Sequence, residues 1–235
     1  MMADAGHVAP SGPTVMRTLD EVVIRTVSVG LMDNNAYLLT CRRSGAQLLV
    51  DAADDPDRLL ALVREGSGSA RLDLVVTTHR HCDHVRALRS IVAVTGARVA
   101  AGADDADAIA LATETPLSRR LHDADPITAG HLTLQVVALR GHTPGSIALA
   151  YREPEHASAP GAIPGRVHLF TGDSLFPGGP GRTTSNATFT TLMDDLEARV
   201  FARFDDQTLV YPGHGDPTTL GAERPHVPQW RARGW

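Results

Sequence analysis

The stretch VVTTHRHCDHVRAL, residues 75–88, decides how the chain is read. With the residues before it, it makes LDLVVTT (72–78), a continuous apolar run of the kind found in strands buried on both faces. His79, His81, Asp83 and His84 then follow within six residues. In an extended segment, residues two apart point the same way, so His79 and His81 share a side. Neutral imidazoles suit zinc and other first-row divalent ions, and Asp83 with His84 adds a mixed oxygen and nitrogen set. Imidazoles grouped at a strand end gain little from being buried together, so packing alone does not account for the cluster. Six residues cannot close two metal sites, and remote ligands are expected.

Three candidates follow in order. His142 lies in GHTPGS, Asp173 in TGDSLF and His214 in YPGHGD, each at the end of an expected strand. Taken singly, each reads as a solvated turn residue or a cap. Beside the cluster they read as its missing ligands, because glycine-rich strand ends are where an α/β scaffold presents side chains to a site. His7, His122, His131, His156, His168 and His226 have no such company and read as surface or locally hydrogen-bonded residues. Cys82 alternates opposite to His81 and Asp83, so it is expected to pack away from the site.

Around these motifs the chain alternates. EVVIRTVSV (21–29), NAYLLTC (35–41) and AQLLVD (46–51) are expected strands, the last two joined as a hairpin by RRSG. DPDRLLALVREG (55–66) is an expected helix, with Asp55 as cap, Pro56 in the first turn and Gly66 at the end. A helix from about Val85, the strand ARVAA and a helix over 103–112 follow, then an irregular link. LTLQVVAL (132–139), SIALAYR (146–152) and VHLFTGD (167–173) read as strands, with a loop over 153–165. Phe189, Leu192, Met193, Leu196 and Val200 have the spacing of an amphipathic helix. TLVYPGHG (208–215) reads as a final strand and turn, and Trp230 and Trp235 are assigned to core packing. Early hairpins followed by strands alternating with helices suit two mixed sheets with helices outside.

The chain has 235 residues, 43% hydrophobic and 21% charged, enough for one α/β domain without disulfides. Residues 1–18 read as a flexible leader and 19–235 as a single domain. The net charge of −5 gives no footprint for nucleic acid or an anionic membrane. All 22 basic residues are arginine, which suggests a GC-rich genome. Cys41 and Cys82 are isolated, the N-terminal segment lacks a signal-peptide pattern, and no apolar run reaches membrane-spanning length, so a cytoplasmic protein is expected. No G-x-S-x-G nucleophile motif is present.

His79-x-His81-x-Asp83-His84 followed by His142, Asp173 and His214 resembles the metallo-β-lactamase superfamily, over about residues 20–220. The resemblance implies a four-layer αββα sandwich. It is closest in pattern to glyoxalase II (hydroxyacylglutathione hydrolase-like) enzymes, in a short form without their helical C-terminal domain. It implies two divalent metal ions, zinc first with iron or manganese as alternatives. One would take His79, His81 and His142, the other Asp83, His84 and His214, with Asp173 bridging. The implied reaction is thioester hydrolysis by a metal-bridging hydroxide, with Asp83 and Asp173 as catalytic carboxylates. The implied substrate is a small-molecule thioester of a glutathione- or mycothiol-type thiol. Asp51, at a strand end in LLVDAADD, reads either as a turn and cap residue or, by the resemblance, as the group that holds a ligand histidine. Arg182 stands where these enzymes carry a basic substrate contact, and Thr184 where they carry a tyrosine. Gly181-Arg182-Thr183 also resembles persulfide dioxygenases, which implies an alternative single-iron oxidoreductase using His79, His142 and Asp173. Hydrolysis of another ester or a lactone is a further alternative. The oligomeric state is left open.

Overall fold

The run 72–78 does become an interior strand, and two sheets are built around its neighbours. The computed structural model describes residues 6–234. The first sheet has seven strands in chain order: β1 (Val15–Thr18), β2 (Val22–Val29), β3 (Asn34–Cys41), β4 (Gln47–Val50), β5 (Leu74–Thr77), β6 (Arg98–Gly102) and β7 (Arg119–Leu121). It is antiparallel from β1 to β4 and parallel from β4 to β7. The parallel half needs crossovers, and α1 (Pro56–Ser67), α2 (Leu88–Thr95) and α3 (Ala103–Thr113) supply them.

The second sheet begins with β8 (Pro126–Ala129), β9 (Leu132–Ala138), β10 (Ile147–Arg152) and β11 (Val167–Gly172). A small hairpin, β12 (Leu175–Phe176) with β13 (Gly179–Pro180), and the helix α4 (Asn186–Leu196) intervene. The sheet is then completed by β14 (Leu209–Pro212), parallel to β11, and β15 (Thr218–Thr219) on its edge. The chain finishes with α5 (Leu220–Glu223) and α6 (Val227–Arg233).

Three apolar clusters define the layers. Ile24, Leu39, Leu48, Val76, Leu134, Leu149, Phe170 and Tyr211 fill the space between the sheets. Leu38, Leu49, Val75 and Val99 pack on Leu59, Leu62, Ile91 and Ile109 of the first helical layer. Val137, Leu169 and Val210 pack on Leu192, Met193, Leu196 and Trp230 of the second. The result is the expected αββα sandwich. β5 is buried along its whole length because α-helices cover one face and the second sheet the other.

Several expectations shift. Val15–Thr18, placed in the leader, is edge strand β1 on β2, and Val8 N–H donates to Asp216; leader residues 1–5 and Trp235 lie outside the described residues. Gly66 does not end α1. It lies inside the helix, where a Cβ would stand 1.8 Å from Gln47 Oε1, and Gly68 at φ +70° is the stop. The helix expected from Val85 starts at Leu88, because Cys82–His84 forms a 3₁₀ turn first. The irregular link contains β7 and β8. The amphipathic helix extends past Leu196 as a π-helical turn over Glu197–Phe201. His168 is fully buried, between Glu153 Oε1 at 2.8 Å and the Tyr211 hydroxyl at 2.9 Å. Trp230, by contrast, packs in the core as expected, 4% exposed. Among the described residues no helix is long and apolar enough to cross a membrane.

Phe170 is fully buried between the sheets, stacked on Tyr211 at 4.9 Å and edge-on to Tyr37 at 5.2 Å. Phe170→Ala should cost about 3–5 kcal/mol of stability by chemical denaturation, since both sheets are needed to close such a cavity.

Candidate metal centre

The strand ends converge. β5 runs out into Thr78 and the ligand-bearing turn. His142 lies in the β9–β10 loop, and Asp173 and His214 directly follow the parallel neighbours β11 and β14. The sheets are tied at this end by Ile147 N–H donating to Thr78 O at 2.9 Å and Asn35 N–H donating to Gly213 O at 2.7 Å.

All seven expected ligands meet. His79, His81 and His142 form one group able to hold an ion, Asp83, His84 and His214 a second, and His79, His84 and Asp173 a third that overlaps both. His79 Nε2 is 3.1 Å from His81 Nδ1 and 3.3 Å from His142 Nε2. Asp83 Oδ2 is 3.5 Å from both His84 Nε2 and His214 Nε2. Asp173 stands between, with Oδ1 3.3 Å from His84 Nε2 and Oδ2 3.5 Å from His214 Nε2 and 3.7 Å from His142 Nε2.

The outer ring nitrogens are held from behind. His84 Nδ1 donates to Asp51 Oδ2 at 2.9 Å, His142 Nδ1 to Arg182 O at 2.6 Å and His214 Nδ1 to Met32 O at 2.8 Å. His79 Nδ1 lies 3.0 Å from Thr78 Oγ1. Fixing the proton on the outer nitrogen turns the Nε2 lone pair inward, the arrangement that metal-binding imidazoles require. Asp51 sits at φ +58° and also accepts from Thr78 N–H at 2.7 Å and Thr78 Oγ1 at 2.8 Å. Asp51 thus turns the chain at its strand end and also holds the His84 ring.

The electrostatics favour a cation. Burial pushes the pKa of His79 well below the ordinary histidine value, with the neighbouring His84 adding to the effect. Burial also lowers His81, with His142 adding. Burial works against charge on His84, yet hydrogen bonds and charge from Asp173 and Asp51 outweigh it and push that pKa up to about 10. Burial would raise Asp173, but His214 and His84 hold it far below the usual carboxylate range. Asp83 is also lowered: burial would raise it, and the Asn34 hydrogen bond and His84 overcome that. A field that keeps a proton on a buried imidazole equally favours a metal cation in its place. Asp173 Oδ1 is buried without a hydrogen-bond partner, despite its 3.3 Å approach to His84 Nε2. The donor set therefore fits divalent ions.

The fold leaves no slack here. A Cβ on Gly213 would stand 2.0 Å from Asp173 Oδ1 and 2.8 Å from His84 Cε1, so only glycine can precede His214. Sequence reasoning missed three supports. Asn34 Nδ2 lies 2.9 Å from Asp83 Oδ2. Asn35 Nδ2 donates to Gly215 O at 2.8 Å and so holds the His214 turn. Asp105, fully buried on α3, accepts from Arg80 N–H at 3.1 Å, from Gly145 N–H at 3.0 Å and from the Thr143 hydroxyl, joining the His81 and His142 loops. Polar residues at a buried strand start were the only signal for the Asn pair. Cys82 is exposed, with Sγ facing Arg86 at 3.9 Å, and belongs to none of the ligand groups.

Beside His81 and His142 opens a cavity of about 640 Å³, lined also by Pro180, Arg182, Thr184, Phe189 and Arg233. Both Arg182 and Thr184 thus face the site, and Arg233 of α6 joins them.

A family model described as the metallo-beta-lactamase superfamily matches residues 29–214. The chain belongs to this superfamily. Its members bind divalent metals, consistent with the His/Asp groups above. Among curated proteins, the chain is 38% identical over 152 residues to the hydroxyacylglutathione hydrolase of Fuscovulum blasticum, covering 65% of this chain and 52% of that protein. It thus spans about half the length of that relative. Among solved superfamily structures, TTHA1623, determined in a di-iron-bound form, has a TM-score of 0.63 and 31% identity, with 85% of this chain and 96% of that chain covered. ETHE1 from Myxococcus xanthus has a TM-score of 0.71 and 27% identity, with 89% and 84% covered.

Asp51 lies outside the candidate donor groups yet fixes His84. Asp51→Ala should weaken divalent-metal affinity roughly 10–100-fold in a chelator-competition titration, with circular dichroism unchanged.

Proposed function

We propose that this chain is a metal-dependent hydrolase that cleaves a thioester of a small thiol, glutathione- or mycothiol-type. The observation that carries the reading is the joining of a two-ion donor set to a cavity that presents two arginines. The similarity to hydroxyacylglutathione hydrolases supports it.

His79, His81 and His142 would hold one divalent ion and Asp83, His84 and His214 the other, with Asp173 between them. Zinc is the first expectation for such donors, and iron or manganese suit them as well. Bound there, the ions supply a Lewis acid for a carbonyl and a water acidic enough to lose its proton near neutral pH. The protein's own part is to fix the rings through Asp51, Arg182 O, Met32 O and Thr78, and to keep Asp83 and Asp173 ionised. A thiolate leaves readily, so no protein nucleophile is needed.

The cavity selects the substrate. Arg182 and Arg233 both line it, neither is paired with a carboxylate among the described residues, and no acidic side chain lines it. Guanidinium groups bind carboxylates by paired hydrogen bonds, so the favoured thiol carries an anionic tail. Phe189 and Pro180 give the cavity its apolar wall.

The single-iron, persulfide dioxygenase-like reading draws on His79, His142 and Asp173, which also lie together. Protein purified without chelator separates the two. About two ions per chain with thiol release from thioesters supports hydrolysis; one iron per chain with oxygen uptake supports the oxidoreductase.

Asp173→Ala should abolish thioester hydrolysis while leaving the fold intact. Arg182→Ala and Arg233→Ala should each raise KM roughly tenfold for a thioester with an anionic tail, with kcat little changed and an uncharged thioester unaffected.

A further inference from the structure

Asn34 opens β3 and is completely buried. Its side-chain amide nitrogen lies 2.9 Å from Asp83 Oδ2, 3.3 Å from His84 Nε2 and 3.3 Å from His214 Nε2. These are the inward atoms of one candidate ion site. Ligand atoms on a tetrahedral ion at zinc-like bond lengths are about 3.4 Å apart, and neighbouring ligands on an octahedral ion about 3.0 Å. The amide end of Asn34 stands at ligand-to-ligand spacing from its three neighbours.

The other end of the amide is free to follow. Asn34 Oδ1 is buried and has no hydrogen-bond partner, so nothing behind the residue fixes which end faces inward. With the site bare, the N–H end suits the Asp83 carboxylate. With a cation there, an N–H would point at positive charge. A half-turn about χ2 exchanges the two ends and presents the carbonyl oxygen instead.

We propose that Asn34 is a further ligand of the ion held by Asp83, His84 and His214, through its carboxamide oxygen. With Asp173 that site then has five protein donors, which exceeds the tetrahedral set of a closed zinc site. A five-donor site suits ions that accept higher coordination, such as iron or manganese, as well as five-coordinate zinc. The proposal rests on the two-ion reading given above.

The test uses the full chain, stripped of metal and reloaded with zinc or cobalt(II). Asn34→Ala should lose affinity for the second equivalent at least tenfold by chelator competition, while the first equivalent binds as in the wild type. Asn34→Asp keeps an oxygen and should retain the second equivalent. On loss of a ligand, the visible absorption of cobalt(II) in the second site of Asn34→Ala should intensify, as coordination falls toward tetrahedral. Unchanged second-site affinity in Asn34→Ala overturns the proposal, as does an equal loss in Asn34→Asp, which would mark the amide as an N–H donor to Asp83. A wild type that takes up only one ion would defeat the two-ion reading itself, and this inference with it.

Discussion

The structure depends on keeping several bare imidazole lone pairs pointed at one another inside the protein. Left alone, such a cluster repels itself and loses its hydration. Here four of the five rings are held from the outer side by a fixed acceptor or hydroxyl: Asp51 for His84, Arg182 O for His142, Met32 O for His214 and Thr78 for His79. The inward carboxylates Asp83 and Asp173 supply the negative charge that makes the space favourable for cations. Removing an outer contact would free a ring; removing an inner carboxylate would leave nitrogen donors without compensation.

This requirement explains the layout of the sandwich. No single loop can bring seven donor side chains together, so they arrive from β5 in one sheet and from the β9–β10 loop, β11 and β14 in the other. The two sheets must then stay in register at this end. Backbone bonds from Asn35 to Gly213 and from Ile147 to Thr78 do this directly. Asp105 does it at one remove, since its carboxylate accepts from both the His81 and the His142 loops. The aromatic group Tyr37, Phe170 and Tyr211 fills the space between the sheets, and the Tyr37 hydroxyl donates to Pro212 O, two residues before His214.

What the sequence showed and what it hid follow from how local each signal is. The ligand run His79 to His84, the buried strand before it and the amphipathic spacing from Phe189 to Val200 are periodic or contiguous, so they were legible. The role of Gly66 was not, because it is set by Gln47, remote in sequence but packed against the same helix. Asn34 and Asp105 looked like ordinary strand-start and helix residues; only the fold brings them to the cluster. β7 and β8 are three and four residues long, too short for an alternation to stand out. The ligand groupings were implied by resemblance, and the fold brings the side chains together.

The chain as a whole is acidic, at −5, yet the cavity wall beside His81 and His142 carries two arginines and no acidic side chain. Those arginines come from opposite ends of a long stretch of chain, Arg182 after the β12–β13 hairpin and Arg233 from α6, and α6 is anchored there by the buried Trp230. Most other arginine side chains on this surface meet acids, as Arg120 meets Asp107 and Arg231 meets Glu197 and Asp194. Two cations without a carboxylate partner among the described residues create a local positive potential on an otherwise negative surface, which draws and orients anions. Any ions in the cluster would deepen that potential. The charge of the cavity therefore favours anions independently of any chemistry at the donor cluster.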